Sequence, residues 1–250
     1  MKKIYLSIVI SAWNEDENLD KHSLDRVFDY LNSADFTSQV VVVNDGSDDN
    51  TLKRLIELSK KWKQLKIVNN PHMGKAVGLV TGVENASGRY ILFMDMDQAT
   101  PVAEFDKFKS FLDQEYEVVV GSRSGRKGAP LYRQILAYGM VVARSLILNL
   151  PYSDTQCGFK VFERTAISRI FKILAKVHKF KPVVGGTVNP GFDVEMLYLA
   201  RKFGLKTIEL PVAWQYENSI RVRFIKDALS GISELLMVRW RSLTNAYNLH

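Results

Sequence analysis

The chain has 250 residues, 46% of them hydrophobic and 24% charged, and a formal charge of +7. That is apolar material for one large α/β core, and the positive balance fits anionic partners such as nucleotide phosphates, lipid phosphates or an acidic membrane surface. A lone cysteine, Cys157, excludes an intramolecular disulfide and fits a reducing compartment, while scattered basic residues without zinc-ligand or RNA-recognition motifs argue against nucleic acid.

The first apolar run, Ile4 to Ile10, ends in Trp13-Asn14-Glu15 without a small-residue cleavage site, so it reads as a strand and not as a secretion signal. Strand-like runs at 6–11, 40–44, 65–69, 90–94 and 117–121 alternate with helical patterns at 17–31, 51–62, 75–86 and 102–112. Such alternation predicts an α/β fold: a doubly wound, mostly parallel sheet with helices on both faces, in a single domain. Ligands of these sheets bind beyond the carboxyl ends of the strands. Those ends carry Asn14-Glu15, Asn44-Asp45-Gly46-Ser47 and Asp95-Met96-Asp97.

Past Gly121 come a basic, glycine-containing loop (122–130), an apolar helix (131–150), a polar loop (153–158) and a strand at 206–211. The longest apolar segment, 135–150, is interrupted by Arg144 and is too short to span a bilayer, so no transmembrane span is expected. Residues 221–243 read as a basic amphipathic helix. The reading is one domain over 1–220, with 221–250 either part of it or a membrane-surface contact.

Asp95-Met96-Asp97 follows a buried-looking strand, and Thr100-Pro101 already supplies the cap and first-turn signal of the next helix. Neither aspartate is needed for capping, and the pair is placed to hold a divalent cation against a diphosphate. Asp45, at a strand end, can accept hydrogen bonds from a ribose or an imide N–H, or serve as a turn aspartate. His72-Met73-Gly74-Lys75 puts a turn and a cation before a helix. No G-x-G-x-x-G opens the first helix, and Ala76 after Gly74-Lys75 rules out a P-loop. Cys157 has no histidine near it in sequence and is assigned to packing. Asp193 and Glu195 open a helical run, where capping and helix-dipole roles stand beside a site role.

Three segments in order, "SIVISAWNE", "VVVNDGSDDNT" and "MDMDQATP", resemble the motifs of glycosyltransferase family 2, the inverting nucleotide-sugar transferases of GT-A type fold. Two positions depart from the family pattern: Ser11 stands where proline is usual, and Asn44 replaces the first aspartate of a pair. "GSR" at 121–123, "DTQCGFKVF" at 154–162 and "FDVEMLYLA" at 192–200 are similar to the polyprenyl-phosphate sugar transferases within it.

The resemblance implies that Asp95 and Asp97 bind Mg²⁺ or Mn²⁺ and the donor diphosphate. It implies donor contacts from Ser11, Asn14, Glu15, Asp45, Lys75, Met96 and Gln98, and catalytic roles for Asp97, Asp154 and Arg123. Arg123, Arg133, Gln156 and Lys160 are implied at the acceptor phosphate, with Asp193 and Glu195 as secondary candidates. The implied reaction moves a hexose, glucose from UDP-glucose being favoured, to a polyprenyl phosphate. The alternatives are mannosyl transfer from GDP-mannose and a non-catalytic nucleotide-binding module at a membrane surface. The implied location is cytoplasmic, peripheral at the membrane face.

Overall fold

The computed structural model describes residues 3–123, 131–178, 180–183, 185, 190–215 and 224–249, with the side chains at 131–137, 190 and 224–229 outside the description. The strands are β1 (Leu6–Ala12), β2 (Ser38–Asp45), β3 (Leu65–Asn70), β4 (Tyr90–Phe93), β5 (Val118–Ser122), β6 (Lys160–Glu163) and β7 (Thr207–Pro211). They form one sheet in the order β3-β2-β1-β4-β6-β5-β7. Every pairing is parallel except those of β6, which runs antiparallel to both β4 and β5.

The helices are α1 (Asp16–Asp20), α2 (Ser23–Ser33), α3 (Thr51–Lys61), α4 (Lys75–Glu84), α5 (Phe105–Leu112), α6 (Leu131–Leu148), α7 (Arg164–His178), α8 (Pro190–Lys202) and α9 (Phe224–Leu243). Strand side chains alternate between two cores, because successive residues point to opposite faces. Ile8, Ile10, Val40 and Val42 meet α1, α2, α3 and α5. Val9, Val41 and Val43 meet α4, α7 and α8. Burial on both faces is why these strands read as unbroken apolar runs.

Two differences from the sequence reading bear on the site. The single helix expected over 17–31 is two, broken at His22, whose φ of 57° leaves the helical region. The sequence reading assigned no element between 159 and 190, where β6 and α7 lie. Because β6 is antiparallel, its first residue, Lys160, pairs with Phe93 of β4 and Val120 of β5. The segment entering β6, residues 154–159, is thereby delivered to the carboxyl ends of its neighbours, beside Asp95 and Arg123. Among the described residues no helix is long and apolar enough to cross a membrane.

Glu195, a secondary site candidate in the sequence reading, serves as a structural tether. Buried on α8, it accepts hydrogen bonds from Arg241 Nη1 at 2.7 Å and Tyr247 OH at 2.5 Å, and it also pairs with His178 Nε2. Burial works to raise its carboxyl, but His178, Tyr247 and Arg241 outweigh that and hold it below the ordinary carboxylate range. Glu195→Ala is expected to cost about 3 kcal/mol in urea unfolding, the low end for breaking a buried pair, because His178 and Arg241 keep side-chain exposures of 20% and 22%. With a depressed folded value, this stability is present above the unfolded carboxyl pKa and is lost as pH falls through the folded one. An Ala variant as stable as the parent, or one losing the same amount at every pH, contradicts this account.

Candidate active site

Several loops meet where the parallel strands end. After β1, Asn14 adopts φ 55° and stitches its loop to the one after β2. Its Nδ2 donates to Asp48 Oδ1 at 2.6 Å, and its Oδ1 accepts from Asp48 N at 3.1 Å. Glu15 N donates to Thr51 Oγ1 at 2.7 Å, and Asn18 Nδ2 donates to Glu15 Oε2 at 2.6 Å. Burial raises the Glu15 carboxyl, and the charges of Asp97 and Asp95 push it the same way against the opposing Asn18 bond. Glu15 therefore shares an electrostatic neighbourhood with Asp95 and Asp97. Ser11, on β1, lies against Gly78, where an added Cβ would sit 2.1 Å from its Oγ, so α4 approaches the strand closely.

Asp45 is buried, and its carboxylate is engaged by the turn that precedes α4. Met73 N donates to Oδ1 at 3.0 Å and Gly74 N to Oδ2 at 2.8 Å, while His72 Nδ1 lies 2.9 Å from Oδ2. Gly46 completes the fit: its φ is +70°, and a Cβ there would lie 2.7 Å from His72 N. Trp13 stacks on His72 with centroids 4.8 Å apart. Asp45 thus builds the turn that aims Lys75, and any nucleoside reaching it shares oxygens already bonded to the protein. Asn44 is buried beside it, its Nδ2 donating to Asn69 Oδ1 at 3.1 Å. Amide there avoids a second buried charge next to Asp45.

Lys75 opens α4 and forms an ion pair with Asp95 Oδ1. Burial works to raise the Asp95 carboxyl, but Lys75, then Lys160 and Arg123, outweigh it and hold it low. The Asp95 side chain keeps 44% exposure. Gly158 makes room for it, since a Cβ there would lie 2.3 Å from Asp95 Oδ2. Asp97 Oδ1 accepts from Ala99 N at 2.9 Å. The side chains of the neighbouring residues, both expected donor contacts, are engaged within the protein. Met96 is buried in the core, and Gln98, at φ 52°, bonds through its side chain to the Ser23 carbonyl of α2.

Near Asp95, Arg123 and Asp154 form a two-pronged ion pair: Nε to Oδ2 at 2.6 Å and Nη2 to Oδ1 at 2.9 Å. Burial works to raise Asp154, but Arg123 outweighs it and lowers the carboxyl. Trp214 lies 5.7 Å from the guanidinium. A cleft lined by Asp95, Arg123, Gln156, Gly158 and Trp214 joins the two halves. Gln156 lines this cleft, and so does Trp214, which nothing in the sequence motifs marked.

Lys160, expected at the acceptor phosphate, is engaged within the protein. Its side chain is 1% exposed, its ammonium is held by the Cys157 carbonyl and by Asp193 Oδ1 at 2.7 Å, and its charge reaches Asp95 and Asp154. Asp193 acts as its counter-charge. Arg133 lies on α6, and its side chain is outside the described residues. Burial raises the Cys157 thiol, which fits packing and not nucleophilic attack.

Sequence reasoning also missed what holds the 152–155 loop. From β7, Glu209 accepts from Ser153 N at 2.9 Å, Ser153 Oγ at 2.9 Å and Asp154 N at 2.8 Å. From α6, buried Arg144 donates to Tyr152 O at 2.6 Å, Ser153 O at 3.1 Å and Thr155 Oγ1 at 2.8 Å. The one available signal was Arg144 itself, a charge inside an otherwise apolar helix.

The donor set suits a hard divalent cation, since Asp95 and Asp97 offer carboxylate oxygens. The Lys75 ammonium on Asp95 already occupies a cation's place in the charge balance. Among the described residues no three His, Cys, Asp or Glu side chains converge as a complete metal cage. An ion there completes its shell with water or donor phosphate oxygens, as Mg²⁺ commonly does.

Residues 7–171 match the sequence profile of Glycosyl transferase family 2. A dolichyl-phosphate beta-glucosyltransferase of Trichomonas vaginalis is 34% identical over 249 residues, covering 94% of this chain and 73% of the relative. The dolichyl-phosphate beta-glucosyltransferase of Homo sapiens is 30% identical over 266 residues, covering 98% and 78%. Among solved structures, glucosyl-3-phosphoglycerate synthase from Mycobacterium tuberculosis, in complex with Mn²⁺, UDP-glucose and phosphoglyceric acid, superposes with a TM-score of 0.59 at 15% identity, covering 99% of this chain and 81% of that one. A Pyrobaculum calidifontis mannosyltransferase in complex with GDP-mannose and Mn²⁺ gives a TM-score of 0.59 at 16% identity, covering 98% and 65%. With the sheet order and the strand-end loops agreeing with the motif order, the chain belongs to glycosyltransferase family 2 and has a fold of the GT-A type.

Proposed function

We propose that the protein transfers glucose from UDP-glucose to a polyprenyl phosphate of the dolichyl type, with inversion at the anomeric carbon. The observation that carries this reading is that Asp95 and Arg123, the latter bonded twice to Asp154, line one cleft. A divalent cation held by Asp95 and Asp97 would supply Lewis-acid charge to the departing diphosphate. Lys75 adds a fixed positive charge on the same side. At the same cleft, the Nη1 side of Arg123 lies outside its pair with Asp154 and can receive an acceptor phosphate. The names of the relatives, which carry dolichyl phosphate and glucose, support this choice of acceptor and sugar.

A phosphate monoester has its second pKa near ~6, so the acceptor is largely ionised at neutral pH and needs orientation more than deprotonation. Arginine supplies that, because its planar fork fixes both the distance and the direction of the phosphate oxygens. Asp154 keeps the fork aimed. The acceptor's lipid tail has a surface to meet. α6 and α9 pack together, and they leave Leu146 82% and Trp240 68% exposed, with Tyr138, Leu236 and Leu243 also exposed. Aromatic and aliphatic side chains on paired helices suit the edge of a bilayer.

The complex of a structural neighbour with GDP-mannose keeps mannosyl transfer as a second reading. A panel of UDP- and GDP-sugars with a short polyprenyl phosphate, run with Mg²⁺ or Mn²⁺, separates them. The expected result is an organic-soluble glucosyl product from UDP-glucose, abolished by EDTA. A product from GDP-mannose alone moves the assignment to the second reading. Donor hydrolysis or transfer only to water-soluble acceptors removes the lipid acceptor, and no turnover beside vesicle binding supports a non-catalytic module.

A further inference from the structure

We propose that Glu209 and Arg144 are positioning residues that set the Asp154–Arg123 pair for the acceptor phosphate; this rests on Arg123 receiving that phosphate. Residues 152–155 are gripped from both sides. Glu209, reaching from β7, takes both backbone N–H groups and the hydroxyl that Ser153 and Asp154 present. Arg144, reaching from α6, takes the carbonyls of Tyr152 and Ser153 and the hydroxyl of Thr155. Ser153 Oγ is also 2.8 Å from Ser122 Oγ, next to Arg123 on the end of β5. Donors of the loop face one clamp and its acceptors face the other, which fixes the plane of its peptides.

The energetics single Arg144 out. Its guanidinium is buried, its Nε has no hydrogen-bond partner, and no carboxylate pairs with it directly among the described residues. Burial lowers its pKa, against the more distant charges of Asp154 and Glu209. Apolar residues replace buried charges at little cost only when both partners change together, whereas a leucine at 144 leaves the Tyr152 and Ser153 carbonyls and the Thr155 hydroxyl without this donor, so some loss of stability accompanies it. What leucine could not do is hold two carbonyls and a hydroxyl in one plane. The consequence runs through Asp154: its backbone N–H is fixed by Glu209, its carboxylate fixes Nε and Nη2 of Arg123, and the angle of the free edge of Arg123 follows.

The test uses the full chain as wild type, Glu209→Gln, Arg144→Leu, Arg144→Lys and Ser153→Ala. Citronellyl phosphate and Mn²⁺·UDP are titrated separately by calorimetry, and KM for acceptor and donor is measured on the same proteins. Glu209→Gln and Arg144→Leu are expected to weaken citronellyl phosphate and raise its KM about tenfold, the scale seen when groups that orient a ligating side chain are removed, with Mn²⁺·UDP unmoved. Arg144→Lys keeps charge without the planar fork and is expected to match Arg144→Leu. Ser153→Ala, which removes one hydroxyl from an exposed loop, shows the same pattern at smaller amplitude and decides the matter if the buried variants do not fold.

Equal weakening of both ligands, or full recovery with lysine, overturns the proposal, because either is what a general structural or purely electrostatic role gives. Variants that show this split, when the wild-type protein binds citronellyl phosphate and yet transfers no glucose, sink the proposed function and leave the clamp. Glucosyl transfer proceeding with acceptor affinity unmoved in every variant does the reverse.

Discussion

Asp95→Asn is expected to lower glucosyl transfer by at least about a hundredfold, the range seen when one group that stabilises transition-state charge is removed. The aspartate sits where three demands meet: it pairs with Lys75, it nests against Gly158, and it opens on the cleft. An amide keeps the shape but cannot balance a divalent cation, so affinity for Mn²⁺·UDP should fall together with kcat. Asp97→Asn is expected to behave alike, with an added loosening of the turn whose Ala99 N–H it accepts. Lys75→Gln should cost less alone and be strongly non-additive with Asp95→Asn, since the two share one interaction. Steady-state rates at saturating and limiting Mn²⁺ check this. Full activity in Asp97→Asn with the metal still required would mean that the cation is held elsewhere.

The fold was legible where one residue type dominates a face. Val40 to Val43 are buried on both sides of the sheet, so an unbroken apolar run was a sufficient signal. The sequence of β6 hid because it has four residues and begins with a lysine; Lys160 is buried only through Asp193 and the Cys157 carbonyl, contacts made after the chain has folded. The helix break at His22 carries neither glycine nor proline, and no local rule marks it.

In the site, carboxylates at strand ends were legible as a set, since Asp95, Asp97 and Glu15 fall on one rim. Side-chain direction was not. Met96, between two site aspartates, turns into the core, and Gln98 turns to α2, because residues 95–98 form a turn closed by Gln98 N on Asp95 O, with Gln98 at φ 52°, and the side-chain directions follow that turn. Asp45 shows the same gap: its position was readable, but that its oxygens hold the turn before Lys75 depends on residues 27 to 29 positions away.

Arg123→Lys is expected to reduce kcat/KM for the acceptor by about a hundredfold or more while leaving Mn²⁺·UDP affinity within a factor of about two, because a point charge cannot reproduce a planar fork shared by a carboxylate and a phosphate. Asp154→Asn should fall nearly as far, and the double variant little further, since the two act as a unit. The pH profile separates their role from proton transfer. Asp154 is held below the ordinary carboxylate range, so its pairing with Arg123 is intact above the unfolded value of about 3.9 and is lost only as pH falls through the still lower folded value. The acid limb of transfer between pH 5 and 8 then belongs to the acceptor phosphate, near ~6. Asp154→Asn should lower the whole profile without moving that limb, and a phosphonate acceptor with a higher second pKa should move the limb upward. If the limb instead flattens in Asp154→Asn and ignores the acceptor's acidity, Asp154 is the proton-accepting base and the aiming role assigned to its pair with Arg123 is wrong.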